Sequence, residues 1–341
     1  DLYSRVVSDN ASRRRVVYVG ANDGMLHGFD AGDDQSDSGD GSELIAYVPN
    51  KVIDDSQRFS NRLNQLMSPA YSHRFFVDLT PTIEDVFMKA SAVATSRSWN
   101  SVLVGGLGGG GKGYFALNVT DPSRFTTALA PDTVLWEFTD DDDTYPVDSD
   151  GDPLLDADGS LLVDLTGEPA KDLGYALNQA RIAMSNAETD GGDKEWVAVF
   201  GNGYNSTAGI AKLFVLFVER GLDGWSEGDF VKLSTDEGVR LAPDALAGLP
   251  NGLGEPALLD VDANGTLDRA YAGDQFGNLY RFDIADTNPD NWSVTKLFQA
   301  TYDGTLSTRQ PITKQPLVVK HPTESGFMLV FGTGSYLTEA D

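Results

Sequence analysis

Cysteine is absent from this chain of 341 residues, and long uninterrupted apolar runs are absent as well. Without thiols, neither a disulfide framework nor a thiolate metal site can form. Because no run approaches the roughly 18 apolar residues that span a bilayer, we expect a protein that is not membrane-spanning. Basic residues are few, with 25 Lys and Arg against 52 Asp and Glu, so the formal net charge is −27. Such a surface repels nucleic acid, and we exclude DNA and RNA as partners.

Groups for nucleophilic catalysis are also scarce. The three histidines (His27, His73 and His321) are scattered, and none has a neighbour at metal-ligand spacing. We expect His27, beside Gly28, to be a packed strand residue. The sequence contains no Gly-x-Ser-x-Gly elbow of the kind that serine hydrolases use. The sequence therefore shows no set of residues for nucleophilic catalysis.

A strand–turn–strand unit recurs along the chain. Residues 15–30 read as two apolar strands around an Asn-Asp-Gly turn, and residues 270–283 repeat the pattern nearly position for position. An Asp-Gly pair between alternating apolar runs is typical of a β-hairpin. Weaker copies of the unit lie at 101–118, 196–218 and 328–336. Further strands are predicted at 46–49, 75–78, 134–138 and 180–184, and the best helical spacing occurs at 55–67.

Repeated four-stranded units with glycine-rich turns are the sequence form of a β-propeller, in which each blade buries its faces against its neighbours. We therefore predict an all-β fold, a modified, seven-bladed β-propeller with loop insertions and quinoprotein-like blades. One propeller domain is expected to cover residues 1–341. Since the last unit looks incomplete, either the natural domain continues further or the ring closes through a missing strand.

The most informative stretch is an acidic loop within residues 258–268. Calcium takes about six to eight oxygen ligands, so a short loop must aim several oxygens inward. Oxygen-bearing side chains stand at loop positions 1, 3, 5 and 9, namely Asp260, Asp262, Asn264 and Asp268. Gly265 at position 6 permits a sharp turn, and the carbonyl of Thr266 at position 7 can supply another ligand. These five residues form the predicted calcium site.

The loop departs from a complete EF-hand. Tyr271 stands at position 12 where an EF-hand has glutamate, and the flanks at 257–259 and 269–272 read as strands. The alternative is a solvated acidic β-turn, which Asp, Asn and Gly also favour. Calcium is the better interpretation, because an empty loop would crowd three carboxylates whose repulsion nothing else in the segment relieves.

A second acidic run repeats the same spacing of carboxylates. Its candidate ligands at positions 1, 3, 5 and 9 are Asp148, Asp150, Asp152 and Asp156. Glycine is at position 4 instead of 6, and Pro153 fixes the backbone where a calcium loop needs a permissive residue. A second calcium site and a solvated acidic loop therefore both stay open.

Residues 106–113 match two glycine-rich phosphate-binding patterns. Both patterns require a following helix whose N-terminal amides face the phosphate. Here residues 114–119 read as a strand, and Gly113 replaces the Ser or Thr that would hold Mg²⁺. We therefore predict a glycine-rich hairpin where blade backbones crowd near the ring axis, without nucleotide binding.

Taken together, these stretches resemble the C-terminal propeller of the PilY (PilC) family, the calcium-binding tip adhesins and biogenesis factors of type IV pili. The resemblance is carried by residues 17–29, 102–121, 134–140, 200–206 and 270–283. It implies Ca²⁺ as the cofactor, and the family's calcium loop falls on the same five residues. Relative to the family pattern, an acidic insertion occupies about residues 141–171.

The resemblance also implies a function. It predicts a calcium-binding, non-enzymatic domain that controls type IV pilus extension and retraction, twitching motility and surface attachment. The expected partners are the pilus, through its minor pilin tip complex, and host or abiotic surfaces. The expected location is the cell surface at the fimbrium tip, either associated with the outer membrane or extracellular.

The competing class is a calcium-dependent quinoprotein dehydrogenase, whose blades share the Asn-Asp-Gly-x-Leu pattern. That enzyme needs an axial pocket for pyrroloquinoline quinone, with a catalytic aspartate and a tryptophan floor. The five tryptophans of this chain are dispersed, and the predicted calcium ligands come from one continuous loop. A plain structural or carbohydrate-binding propeller is a third class, but it leaves the matching stretches unexplained.

Overall fold

A computed structural model describes residues 2–32, 40–53, 62–143, 171–189, 191–238, 250–305 and 308–335. Within these ranges the seventeen strands form five sheets, and every strand pair within a sheet is antiparallel. Strands that are neighbours in each sheet are also consecutive along the chain. The all-β prediction is therefore confirmed, and each sheet is a simple meander of hairpins.

The first two sheets have three and four strands. The three-stranded sheet contains β1 (Val16–Gly20), β2 (Leu26–Asp30) and β3 (Glu43–Tyr47). The four-stranded sheet contains β4 (Thr82–Lys89), β5 (Arg97–Gly106), β6 (Gly113–Asn118) and β7 (Val134–Thr139).

Two further sheets have four strands each, and the last has two. The third sheet contains β8 (Arg181–Glu188), β9 (Lys194–Gly201), β10 (Ile210–Phe217) and β11 (Phe230–Gly238). The fourth contains β12 (Ala257–Leu259), β13 (Arg269–Gly273), β14 (Asn278–Asp283) and β15 (Ser293–Gln299). The fifth contains β16 (Leu317–Lys320) and β17 (Phe327–Val330).

Helices in the described residues are short. The α-helices are α1 (Leu2–Asp9), α2 (Asn50–Ile53) and α3 (Ala130–Thr133). Single turns or two turns of 3₁₀ helix occur at Arg62–Met67, Pro122–Arg124, Thr127–Leu129 and Pro289–Asn291. None of the helices in the described ranges has the length and apolar character to cross a bilayer.

The contacts divide the chain into two compact units. One is Asp1–Thr139 with Glu219–Trp225, and the other is Asp140–Val218 with Ser226–Asp341. In the first unit, Leu26, Leu103, Phe115 and Leu117 from the strands pack together with Phe76 from a connecting segment. In the second, the core includes Val197, Leu213, Phe217, Ala272, Phe282 and Trp292. Both cores therefore combine apolar residues of the strands with apolar residues of the connecting segments.

Four of the five predicted hairpins are confirmed. The strand pairs β1–β2, β5–β6, β9–β10 and β13–β14 fall on the repeats at 15–30, 101–118, 196–218 and 270–283. The hairpin predicted at 328–336 is wrong, because β17 pairs back to β16 and residues 331–335 form no strand. The single propeller over residues 1–341 and its seven blades stay predictions.

Among the isolated predicted elements, those at 134–138 and 180–184 are confirmed as β7 and β8, and 46–49 overlaps only the end of β3. The predicted strand at 75–78 is wrong: its backbone amides bond to two hairpin loops instead of to a strand. Phe76 N–H donates to the Asn22 side chain (3.1 Å), Val77 N–H to Ala21 O (3.3 Å) and Asp78 N–H to Leu107 O (3.3 Å). Of the helical segment at 55–67, the described part is 3₁₀ helix.

Four buried charges hold the two ends of the acidic insertion. Lys232 Nζ lies 3.0 Å from Asp143 Oδ1 and 2.8 Å from Asp172 Oδ2, and Lys212 Nζ lies 3.0 Å from Asp172 Oδ2. Asp143 Oδ2 also accepts the backbone N–H groups of Asp172 (2.6 Å) and Leu173 (2.9 Å). Burial alone would lower the pKa of Lys232, but the charges of Asp172 and Asp143 outweigh it and raise that pKa. The second acidic run, Asp148 to Asp156, lies outside the described residues.

Candidate metal centre

Strands β12 and β13 hold the acidic loop at its two ends. Leu259, the last residue of β12, pairs with Arg269, the first residue of β13. Asp268 N–H donates to Leu259 O at 3.1 Å and closes the connection. The predicted flanking strands are confirmed, so residues 260–268 form the turn of a β-hairpin and not the link between two helices.

The carboxylate of Asp260 organises the turn. It accepts backbone N–H groups from Ala263 (2.7 Å), Asn264 (3.3 Å) and Gly265 (2.7 Å). The Gly265 amide is the largest cause that holds the pKa of Asp260 below its ordinary value. Ala263 and Gly265 have φ of 61° and 91°, so the chain turns through the left-handed region on both sides of Asn264. The turn expected at Gly265 is confirmed.

Three of the predicted ligands meet in space. One carboxylate oxygen each from Asp260, Asp262 and Asp268 lies within 4.8 Å of the other two. Two oxygens bound to one calcium ion at about 2.3–2.6 Å cannot lie more than about 5 Å apart, so this spacing suits a single ion. In the described ranges this is the only group of three such side chains, and none of the three carboxylates has a Lys or Arg partner at salt-bridge distance.

The other two predicted ligands lie on the same turn. Asn264 Nδ2 donates to Asp262 Oδ2 at 3.2 Å, and Asn264 Oδ1 accepts the Thr266 backbone N–H at 2.7 Å. Thr266 is only 5% exposed, whereas Asp262 and Asn264 are exposed to solvent. The donor set is thus all oxygen, as the hard cation Ca²⁺ requires. Calcium fits these residues: the side chains of Asp260, Asp262, Asn264 and Asp268 and the Thr266 carbonyl would hold it, and its charge would offset theirs.

One residue of this centre was not predicted. Asn186 lies on β8, 82 positions before Asp268, yet its Nδ2 donates to Asp268 Oδ1 at 3.1 Å. Its Oδ1 accepts the hydroxyl of Thr266 at 2.8 Å. Sequence spacing identifies ligands that follow one another in a loop, but it carries no sign of a partner from a different sheet. An Asn in a strand, where this residue type is unfavourable, is the single local signal.

His27 is placed as predicted, inside strand β2 with its side chain 13% exposed. Its Nδ1 lies 2.5 Å from Glu43 Oε1, and its Nε2 lies 2.9 Å from Asp23 Oδ2. The hydrogen bond with Glu43 is the largest cause that raises the pKa of His27. His27 is therefore a polar bridge across the first sheet as well as a packed residue.

The glycine-rich stretch and the tryptophans are accounted for by packing. Residues 106–113 connect β5 to β6, and the strand β6 takes the place of the helix that a phosphate loop needs, as predicted. Four of the five tryptophans lie in three ring contacts: Trp99 with Tyr3, Trp136 with Trp225, and Trp292 with Phe217.

Comparison with known proteins extends the resemblance to the whole chain. Residues 1–341 match the family model described as the PilY1 β-propeller domain. The chain is 32% identical over 360 residues to the type IV pilus biogenesis factor PilY1 of Pseudomonas aeruginosa. This match covers 99% of this chain and 24% of that protein. It is also 32% identical over 355 residues to a PilY1 homolog of Xylella fastidiosa, covering 100% of this chain and 19% of that protein.

A solved structure agrees with these sequence matches. The crystal structure of the Pseudomonas aeruginosa PilY1 C-terminal domain has a TM-score of 0.65 and 30% sequence identity to this chain, covering 99% of this chain and 56% of that one. The chain spans about a quarter or less of the length of the curated relatives. Because the family model matches residues 1–341, and the Pseudomonas aeruginosa relative and the solved structure each cover 99% of the chain, the chain belongs to the PilY1 β-propeller domain family.

Proposed function

We propose that this chain is the calcium-binding, non-enzymatic propeller domain of a type IV pilus biogenesis factor. The biogenesis role is supported by relatives that carry this name and match nearly the whole chain. Calcium binding is supported by one observation above all, the approach of the oxygens of Asp260, Asp262 and Asp268 to within 4.8 Å of one another. The domain acts at the cell surface, at the pilus tip, where it contacts the minor pilin complex and host or abiotic surfaces.

Calcium controls extension and retraction of the pilus in this proposal through a shift between two conformations. Three carboxylates that repel one another are brought together in the ordered loop, and the ion offsets that repulsion. The loaded protein therefore favours the conformation with the ordered loop, which supports extension, and the empty protein permits retraction. The size of the shift is limited by the difference in calcium affinity between the two conformations.

The first test is calcium binding measured by calorimetry on the 341-residue chain and on Asp262→Ala. Asp262 is exposed, so its replacement removes a ligand and leaves the core untouched. We expect one loop site whose affinity falls by about tenfold or more, which corresponds to about 1.4 kcal/mol. The matched control is Asp303→Ala, because the exposed Asp303 also caps a turn, accepting Thr305 N–H at 3.0 Å, without belonging to a carboxylate cluster.

Two results would contradict calcium binding by the loop: no heat of binding at about millimolar calcium, or equal affinity in wild type, Asp262→Ala and Asp303→Ala. The same substitutions in the full-length protein test the control of pili, counted on cells after shearing. We expect Asp262→Ala to reduce surface pili, and Asp262→Lys to restore them at low calcium, because the ammonium supplies a compact positive charge at the cluster. Equal piliation in both variants would argue against the switch while leaving calcium binding intact.

A further inference from the structure

Strand β8 is irregular where it meets the acidic loop. Met184 pairs with Trp196 and Glu188 with Lys194, so the register of β8 and β9 shifts between these two pairs. Three residues of β8 therefore face a single residue of β9, which is a β-bulge. Bulges re-aim side chains and are frequent beside functional sites. Here the bulge is centred on Asn186.

The released part of β8 bonds to the acidic loop instead. Ser185 forms an isolated parallel bridge with Leu267, and Leu267 N–H donates to Met184 O at 2.8 Å. Asn186 Nδ2 donates to Leu267 O (3.2 Å) and Asp268 Oδ1 (3.1 Å), while its Oδ1 accepts the Thr266 hydroxyl (2.8 Å). One side chain thus holds three consecutive loop residues, two of which are predicted calcium ligands.

The end of the loop that contacts β8 is buried, whereas the opposite end is open to solvent. Thr266 is 5%, Asp268 9% and Asn186 8% exposed, whereas Asp262 and Asn264 are exposed. Buried hydrogen bonds fix geometry more strongly than exposed ones, since solvent cannot replace a lost partner. The orientation of Asp268 is set by two donors, Asn186 at Oδ1 and the Val261 backbone N–H at Oδ2 (2.7 Å). A carboxylate has about four acceptor positions, so it can still bind a cation.

We propose that Asn186 is a positioning residue for calcium. It fixes Thr266 and Asp268 in the binding arrangement, and it couples calcium binding in the loop to strands β8 and β9. The proposal rests on the calcium site of the proposed function. A neutral amide suits this place, because it donates to a carboxylate and accepts from a hydroxyl without adding a fourth negative charge. The backbone of Asn186 extends the connection, since its carbonyl accepts Lys194 Nζ from β9 at 2.9 Å.

The test begins with calcium affinity of the full 341-residue chain carrying Asn186→Ala. All five predicted ligands are kept, yet we expect affinity to fall by about 10–100-fold, the usual effect of removing a residue that orients metal ligands. The matched control is Ser185→Ala. Ser185 lies on the same bulge, but its hydroxyl donates to Glu195 O (3.0 Å) and not to the loop, so affinity should stay at the wild-type value. Wild-type affinity in Asn186→Ala would overturn the proposal.

A second variant covers the case in which Asn186→Ala fails to fold. Thr266→Val keeps the branched shape and the carbonyl of residue 266 and removes the hydroxyl, which lies at hydrogen-bond distance from both Asn186 Oδ1 (2.8 Å) and Asn264 Oδ1 (2.5 Å). Affinity should fall in the same direction by a smaller factor, and unchanged affinity would overturn the proposal. If the wild-type chain binds no calcium, the proposed function fails and this inference fails with it. If wild type binds but both variants bind equally well, only the inference fails.

Hydrogen exchange supplies a readout that a merely structural role would not move. In wild type we expect added calcium to slow exchange of the loop amides of Ala263 and Gly265 and also of Leu267, whose N–H bonds to β8. In Asn186→Ala at saturating calcium, the amides of Ala263 and Gly265 should still slow, whereas that of Leu267 should not respond. If Asn186 acted only on stability, Leu267 would exchange faster by the same factor with and without calcium.

Discussion

Gly110 lies where a side-chain Cβ atom has no room, and this explains the glycine-rich stretch around it. A Cβ at this position would lie 1.8 Å from the carbonyl oxygen of Phe76 and 2.4 Å from its carbonyl carbon. The neighbouring Gly108 has φ of +59°, and a Cβ there would lie 2.8 Å from Asp78 Cβ. Close approach of two backbones therefore explains these glycines, and no phosphate is needed to account for them. Close backbone approach at these glycines is confirmed, but the partner is the non-strand segment 75–78, and the position near the ring axis stays a prediction.

Gly110→Ala should destabilise the protein strongly. The contact that opposes the new methyl group is backbone, which cannot rotate away, so we expect a loss of about 2–3 kcal/mol in the free energy of unfolding. Gly332→Ala is the matched control, because a Cβ at Gly332 meets no atom within 4 Å. Urea unfolding followed by tryptophan fluorescence measures both variants. Equal unfolding midpoints for the two would show that the 75–78 segment moves aside at little cost.

At the scale of elements, the sequence predicts best where the responsible residues are close together in the chain. The strands β12 and β13 and the turn at Gly265 were predicted within a residue, since alternation and turn chemistry are local. The segment 75–78 has the apolar composition of a strand, and Phe76 and Val77 are fully buried. Its amides find acceptors at Ala21, Asn22 and Leu107, which no local pattern reveals.

The residues of the candidate site also divide into those that are close together in the chain, which the sequence predicts, and one distant residue, which it does not. The carboxylates of Asp260, Asp262 and Asp268 come from one short loop, so their spacing alone predicted that they would meet. Asn186 comes from another sheet, and it contacts the loop because a bulge in β8 releases three residues from their ladder. Bulges depend on how two strands pair, and a pattern within one strand does not specify that.

The four buried charges of Asp143, Asp172, Lys212 on β10 and Lys232 on β11 yield a prediction at this scale. Lys232→Met leaves Asp143 and Asp172, which are 1% and 0% exposed, without the ammonium that lies within 3.0 Å of both carboxylates. Removing one partner of a buried ion pair typically costs about 3–5 kcal/mol, so we expect a loss of that size by denaturant unfolding. The double variant Lys232→Met, Asp143→Asn removes the unbalanced charge as well. It should recover part of the loss, and a double variant no more stable than the single one would contradict a charge-based origin.

At the scale of the whole molecule, the net negative charge affects the stability of the folded state. A formal net charge of −27 destabilises any compact state through self-repulsion, and both simple salt and calcium can relieve that repulsion. Salt acts by screening, with a Debye length of about 10 Å at 0.1 M, and it does not depend on any one side chain. Calcium bound in the loop acts by mass action on the folded state and depends on its ligands. The two effects are therefore separable.

Thermal unfolding with and without calcium, at constant ionic strength, separates these effects. Raising monovalent salt from about 20 mM to about 200 mM should raise the Tm of wild type and Asp268→Ala by the same amount, since screening ignores the loop. Calcium at about 100 times its Kd should stabilise wild type by about 2.7 kcal/mol, and it should leave Asp268→Ala unchanged. An equal calcium shift in both proteins would mean that calcium acts on the acidic surface as a whole. Because Asp268 lies at the buried end of the loop, a shift confined to wild type would assign the stabilisation to this hairpin turn.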